Sequence, residues 1–228
     1  MIEFLFLDLD NTILDFDKAE YLALCKTLRH FGLEPSEQVC KRYHQINRMY
    51  WQRLERKELT RPQVLLGRFE MLFAEFGMAV DPSDCAKTYE GLLAEGHFFL
   101  PGAEASLPKL ASKYRLYLAS NGTARVQASR LESAAIGRYF EDIFISQEIG
   151  ANKPDREFFD RCFARIPDFD HTKAMIVGDS LTSDILGGLQ AGMKTCWINP
   201  HGLPINPEIP ADYTLERLEQ LYDLLENL

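Results

Sequence analysis

The feature that most constrains this chain is an alternation. From Pro101 onward the short apolar stretches YRLYLAS, FEDIFIS, KAMIVGD and KTCWIN are separated by amphipathic segments of helix length. Strands that pair in parallel need such crossovers, so the pattern predicts βαβ units and a parallel sheet. A last, weak strand is expected near ADYT, before a helix from Leu215. One strand stands apart: EFLFL, residues 3 to 7, precedes a long segment, from 17 to about 96, that holds no convincing strand. That segment carries apolar residues at helical spacing, such as Tyr21, Leu24, Cys25 and Leu28, and Leu65, Phe69, Leu72, Phe73 and Phe76. Gly and Pro break it near Gly32–Pro35, Leu59–Pro62, Gly77–Pro82 and Gly96–Gly102. The simplest organisation is an α/β fold whose first strand joins the same parallel sheet, with a helical block inserted just after it. Loops at that position lie over the carboxyl edge, where open α/β sheets bind ligands.

With 228 residues, 46% of them hydrophobic, there is enough apolar material for a sizeable core. The 34 Asp and Glu against 25 Lys and Arg leave a net charge of −9, which disfavours unspecific attraction to nucleic acid or to an anionic membrane. An anionic substrate must therefore meet local positive charge. The five cysteines (Cys25, Cys40, Cys85, Cys162, Cys196) are scattered and never form a C-x-x-C pair, so neither a disulfide framework nor a zinc site is suggested. No basic segment precedes a long apolar run, and no run approaches the length of a membrane span, so a cytoplasmic protein is expected.

The strands end in chemistry-bearing residues. EFLFLDLDNTILD runs from an apolar strand into Asp8 and Asp10, whose spacing tends to point both side chains the same way and calls for a cation. Oxygen-rich, thiol-free surroundings suit Mg2+; the alternative is a solvated turn with Asp and Asn as turn formers. IVGDSLTSD repeats the pattern with Asp179 and Asp184, and helix capping by Asp179 or Ser180 is the bland alternative. LYLASNGT closes a third strand with Ser120, Asn121, Gly122 and Thr123, which suit an anion site at a helix start or an ordinary cap. In GANKPD, Lys153 precedes Pro154, which fixes where the lysine points; it could screen the carboxylates and hold a phosphoryl oxygen, or be a surface charge.

In their order, D-L-D-N-T, S-N-G, K-P and G-D-x-x-x-x-D resemble the haloacid-dehalogenase-like (HAD) hydrolase superfamily, across the whole chain. The resemblance implies a Rossmann-like parallel sheet core, residues 1–15 and 98–228, with an inserted α-helical cap domain over residues 16–97. It implies Asp8 as a nucleophile that forms an aspartyl-phosphate and Asp10 as general acid and base. Mg2+ would be held by Asp8, the main-chain carbonyl of Asp10, and Asp179, with Asp184 supporting. Ser120, Asn121, Gly122 and Lys153 would bind the phosphoryl group, and Thr12 would orient the loop. Dehalogenases of the superfamily generally lack the second acid of D-x-D, so Asp10 argues against that activity.

Within the expected cap, INRMYWQRLERKELTRPQVLLGRFEMLF, together with GDSLTSDILGGLQAGMKTCWIN, resembles the bacterial pyrimidine 5'-nucleotidases. That resemblance implies a nucleoside 5'-monophosphate as substrate, with Asn47, Tyr50 and Trp51 as candidate contacts. Tyr43, Tyr50, Trp51 and Phe69 either stack a base or fill the cap's own core. The rival chemistries are a sugar-phosphate phosphatase or a phosphomutase of the same superfamily; the non-enzymatic rival only binds a phosphorylated ligand. A small-molecule phosphomonoester is the expected partner, with no nucleic-acid polymer and no membrane, for a monomer or homodimer.

Overall fold

The computed structural model describes residues 1–228. In chain order its elements are β1 (Phe4–Leu7), α1 (Phe16–His30), α2 (Glu37–Glu55), α3 (Arg61–Phe76), α4 (Pro82–Leu93), α5 (Ala103–Ala111), β2 (Arg115–Ser120), α6 (Ala124–Ser133), β3 (Asp142–Ile145), α7 (Ser146–Ile149), α8 (Arg156–Phe163), β4 (Ala174–Gly178), α9 (Leu186–Ala191), β5 (Lys194–Ile198), β6 (Tyr213–Leu215) and α10 (Leu221–Glu226). They divide into two compact units, Met1–Asp15 with His97–Leu228, and Phe16–Gly96.

The first unit is a Rossmann-like α/β fold on one six-stranded sheet, in the order β3-β2-β1-β4-β5-β6, with every pairing parallel. The strand that is isolated in sequence is central in space. Its side chains alternate: Leu5 and Leu7 join Leu116, Leu118, Met175 and Val177 in one core cluster, while Phe4 and Phe6 join Tyr117, Ala119, Ala174 and Ile176 in another. Both faces are covered, so all four β1 residues are fully buried and the strand reads as a continuous apolar run. Burying each such side chain contributes about 1.5–3 kcal/mol. Polar side chains begin only where β1 ends.

Register sets where they begin. Leu7 lies beside Leu118 on one side and Val177 on the other, so Asp8, Ser120 and Asp179 leave the sheet within two residues of one level. The chain turns to opposite sides of β1 at this edge, the switch point where open α/β sheets place ligands. Beyond Asp10 a short ribbon joins the two segments of this unit. Leu100 N donates to Ile13 O at 3.0 Å, Asp15 N donates to Phe98 O at 2.8 Å, and Leu14 bridges Phe99 in antiparallel sense.

The second unit consists of α1 to α4. The Ser36 hydroxyl accepts from Val39 N at the start of α2, and Asp81 accepts from Ser83 N and Asp84 N at the start of α4. Gly77, with φ 62°, closes α3 in the left-handed region. Its core holds Tyr43, Phe69 and Tyr89, with ring centroids 5.1 to 5.5 Å apart. Tyr43 and Phe69 are fully buried there, which gives these two aromatics a packing role rather than a stacking surface.

Two expectations need correction. The final helix does not start at Leu215: that residue pairs with Ile198 in the sheet, one 3-10 turn follows at Leu218–Gln220, and α10 begins at Leu221. The helical spacing of Leu218, Leu221 and Leu225 extends backward to Leu215 by coincidence. Tyr21 is exposed, because the buried stripe of α1 runs through Glu20, Leu24, Thr27 and Leu28. No helix is long and apolar enough to cross a membrane.

Candidate active site

Asp8 follows β1 directly, its N–H donating to Val177 O at 2.9 Å. Its Oδ1 accepts from Lys153 Nζ at 2.7 Å, and the same ammonium donates to Asp184 Oδ1 at 2.6 Å and to the Ala119 carbonyl at 2.5 Å. All three lysine protons are thereby used. Lys153 is 1% exposed, so it is no surface charge. Its main chain is clasped by the Asn121 side chain, which accepts from Lys153 N and donates to Lys153 O, both at 2.9 Å. The Asn121 side chain, expected on a phosphate, fixes the lysine.

Asp184 approaches because position 178 is glycine. A Cβ there would lie 2.2 Å from Asp184 Oδ2. That oxygen accepts from Ser180 N at 3.1 Å, and Ser180 Oγ caps the following turn by accepting from Ser183 N. The capping role thus falls to Ser180, and the Asp179 carboxylate lies with those of Asp8 and Asp184, ligand atoms all within 4.8 Å of one another.

Asp10 lies beyond the end of β1 at Leu7, so its partners rather than strand alternation fix its side chain. Its Oδ2 accepts from Gln127 Nε2 at 2.7 Å and its Oδ1 is paired with Arg130 Nη1. Gln127 Nε2 also donates to Ser120 Oγ at 2.8 Å, which accepts a second bond from Gly122 N at 3.1 Å. With both acceptor sites of Ser120 used, its hydroxyl proton is left to donate. Gly122, expected on a phosphate, leaves room for Gln127: a Cβ there would lie 2.3 Å from Gln127 Nε2. The Thr12 hydroxyl is buried without a hydrogen-bond partner.

The residues expected in the helical insertion form a network of their own. Asn47 is buried; it donates to Glu20 Oε1 at 2.6 Å and accepts from Arg68 Nη1 at 2.8 Å and Trp51 Nε1 at 3.1 Å. Its side chain is therefore committed within this unit. Trp51 is half-buried with the Arg61 guanidinium 5.4 Å from its ring centroid, and Tyr50 packs so closely on Gly67 that a Cβ there would lie 2.5 Å from its ring.

The family model of the haloacid dehalogenase-like hydrolases matches residues 5–198. This chain belongs to that family. Among curated relatives of the hydrolase, the HAD-hydrolase YfnB of Bacillus subtilis is 38% identical over 97% of this chain and 94% of its own length. The pyrimidine 5'-nucleotidase PynA of Streptococcus pneumoniae is 36% identical over 98% of this chain and 95% of its own. The pyrimidine 5'-nucleotidase YjjG of Escherichia coli is 30% identical over 98% and 97%. A crystal structure of YfnB bound to magnesium superposes with a TM-score of 0.94, covering 98% of both chains.

In the hydrolase site, four carboxylates (Asp8, Asp10, Asp179, Asp184) face two buried cations, Lys153 and Arg130. A divalent cation would match the remaining charge, and the oxygen-only donor set of Asp8, Asp179 and Asp184 fits Mg2+. Burial, opposed by Lys153 but reinforced by Asp184 and Asp10, pushes the Asp8 carboxyl up to about 7. Burial followed by the charges of Asp8 and Asp184 raises Asp179 well above the usual carboxylate range. Lys153 is desolvated too, yet Asp184 and Asp8 outweigh that and raise it, so it stays charged. Arg130 and Gln127 were not among the residues read from sequence. The signal was present: with Val126 and Leu131 they occupy the buried stripe of α6, where an arginine needs a buried partner.

Proposed function

We propose that this chain is a Mg2+-dependent phosphomonoester hydrolase that works through an aspartyl-phosphate, with pyrimidine nucleoside 5'-monophosphates as preferred substrates. The observation that carries the reading is the Asp8 carboxylate held 2.7 Å from buried Lys153, beside the carboxylates of Asp179 and Asp184. Ionised Asp8 attacks phosphorus in line, and the electron pair of the breaking P–O bond leaves with the ester oxygen, which takes its proton from Asp10. Water then attacks the phosphoryl group, losing a proton to Asp10, and the Asp8 carboxylate is released. Lys153, the Ser120 hydroxyl and the orphaned Thr12 hydroxyl suit the phosphoryl oxygens. A bound Mg2+, held by Asp8, Asp179 and Asp184, would supply positive charge that keeps Asp8 ionised and neutralises charge on the transferred group.

The metal assignment has a readout apart from turnover. The folded protein holds the Asp8 proton up to about pH 7, whereas the unfolded chain releases it near 3.8. Between those values the folded state binds more protons, so this group makes the metal-free protein less stable as pH rises. Mg2+ binds the deprotonated form, so it should raise Tm by several degrees more at about pH 8 than at about pH 5.5. Thermal melts with chelator and with excess Mg2+ check this; an increment independent of pH contradicts it.

The substrate reading is supported by the names of the relatives PynA and YjjG and by the half-buried Trp51 and Tyr50 of the helical unit. Stacking a base on an aromatic contributes about 1–3 kcal/mol, roughly one to two orders of magnitude in kcat/KM. Free-phosphate assays should therefore rank dUMP and dTMP above hexose phosphates by that margin. Trp51→Ala should erase most of the preference. Equal losses on dUMP and a hexose phosphate would mean that Trp51 serves the packing of its own unit, and hexose phosphates winning outright would transfer the assignment to a sugar-phosphate phosphatase.

A further inference from the structure

We propose that Arg130 and Gln127 are positioning residues that set the direction of the Asp10 carboxyl and tie it to Ser120, the residue that faces the phosphoryl group. The inference rests on the phosphatase reading above.

Arg130 is fully buried on α6, a place where a guanidinium is costly unless paired, and its partner is one oxygen of Asp10. Gln127 completes the clamp. Its two amide protons go to the other Asp10 oxygen and to Ser120 Oγ, while its Oε1 accepts from Arg130 Nη1 at 3.0 Å. The amide orientation is determined by these neighbours, since the flipped amide would set its oxygen against the Asp10 carboxylate. Space for the arrangement comes from Gly122, where any Cβ would collide with Gln127. The backbone at Asp10 is fixed as well: Asn11, with φ 58°, donates its N–H to Leu14 O at 2.7 Å. Main chain and side chain of the proton-transferring residue are thus held independently.

The chemistry supplies a readout that a purely structural role would not move. The proton carried by Asp10 matters when the departing oxygen is a poor leaving group, as in a nucleoside monophosphate, and little when it is an aryl oxide. Misplacing that carboxyl should change the ratio of the two rates. In Gln127→Met and Arg130→Met, kcat/KM for dUMP should fall at least about tenfold further than for p-nitrophenyl phosphate, with Tm recorded for each variant. Equal losses on both esters, or no loss, would overturn the proposal. Should Arg130→Met fail to fold, the glutamine variant decides.

A double-mutant cycle of Asp10→Asn with Gln127→Met, read in thermal stability, tests the clamp without turnover. Non-additive Tm shifts are expected, and additive ones overturn it. Wild-type protein that releases phosphate from neither ester would end the phosphatase reading, and the cycle would still judge the clamp.

Discussion

Asp8→Asn should reduce phosphate release by at least about four orders of magnitude while leaving the protein folded. The amide is nearly isosteric with the carboxylate, so the hydrogen-bonded frame around Lys153 and Asp184 changes little in shape. What disappears is the proposed nucleophile: a neutral amide oxygen does not attack phosphorus at a useful rate. Stability should move the other way. Asp8 is one of three clustered carboxylates served by a single lysine, and burial already disfavours its charged form. Removing its charge relieves repulsion in the metal-free protein, so Tm in chelator at about pH 8 should equal or exceed that of wild type. Single-turnover phosphate detection and a thermal melt together check the assignment. Turnover within tenfold of wild type would remove Asp8 from the nucleophilic role.

The opposite substitution should do the opposite damage. Lys153→Met leaves Asp8 and Asp184 buried with no ammonium between them and strips the Ala119 carbonyl of its donor. Breaking a buried ion pair from one side costs about 3–5 kcal/mol, a large fraction of the stability of an ordinary domain. Chemical denaturation without divalent cations should show that loss, with Mg2+ restoring part of it by supplying charge to the same carboxylates. Phosphate release should also fall by about two to three orders of magnitude, since a charge-stabilising donor is gone. A metal-free Lys153→Met protein as stable as wild type would show that the lysine does not balance the cluster.

The contrast between these variants shows what a sequence can and cannot display. That β1 is apolar to Leu7 and acidic at Asp8 is visible in one dimension, and so is the recurrence at Val177, Gly178 and Asp179. A parallel sheet brings equivalent ends to one edge, so the strand pattern carried the fold and the level at which those residues emerge. Partnership is different. Asp10 and its partners Gln127 and Arg130 are 117 and 120 residues apart, and periodicity states which face a side chain occupies but not what it meets there. Asn121 and Gly122 illustrate the same limit, because an amide and a glycine beside a strand end suit an anion as well as they suit Lys153 and Gln127. In the helical unit, Tyr43 and Phe69 share an aromatic vocabulary with Tyr50 and Trp51. Only packing separates the fully buried pair from the half-buried one.

The ribbon that pairs Ile13 and Asp15 with Leu100 and Phe98 has a consequence for how such a chain can diversify. The points where the polypeptide departs for the helical unit and returns are already hydrogen-bonded to each other inside the sheet unit. Closing even a long excursion between them therefore adds an entropic cost that grows only with the logarithm of its length. Lengthening or shortening the excursion from Phe16 to Gly96 changes the cost of closing it only slightly. The two units become separately heritable, as though the genetic text held a replaceable clause between two fixed words.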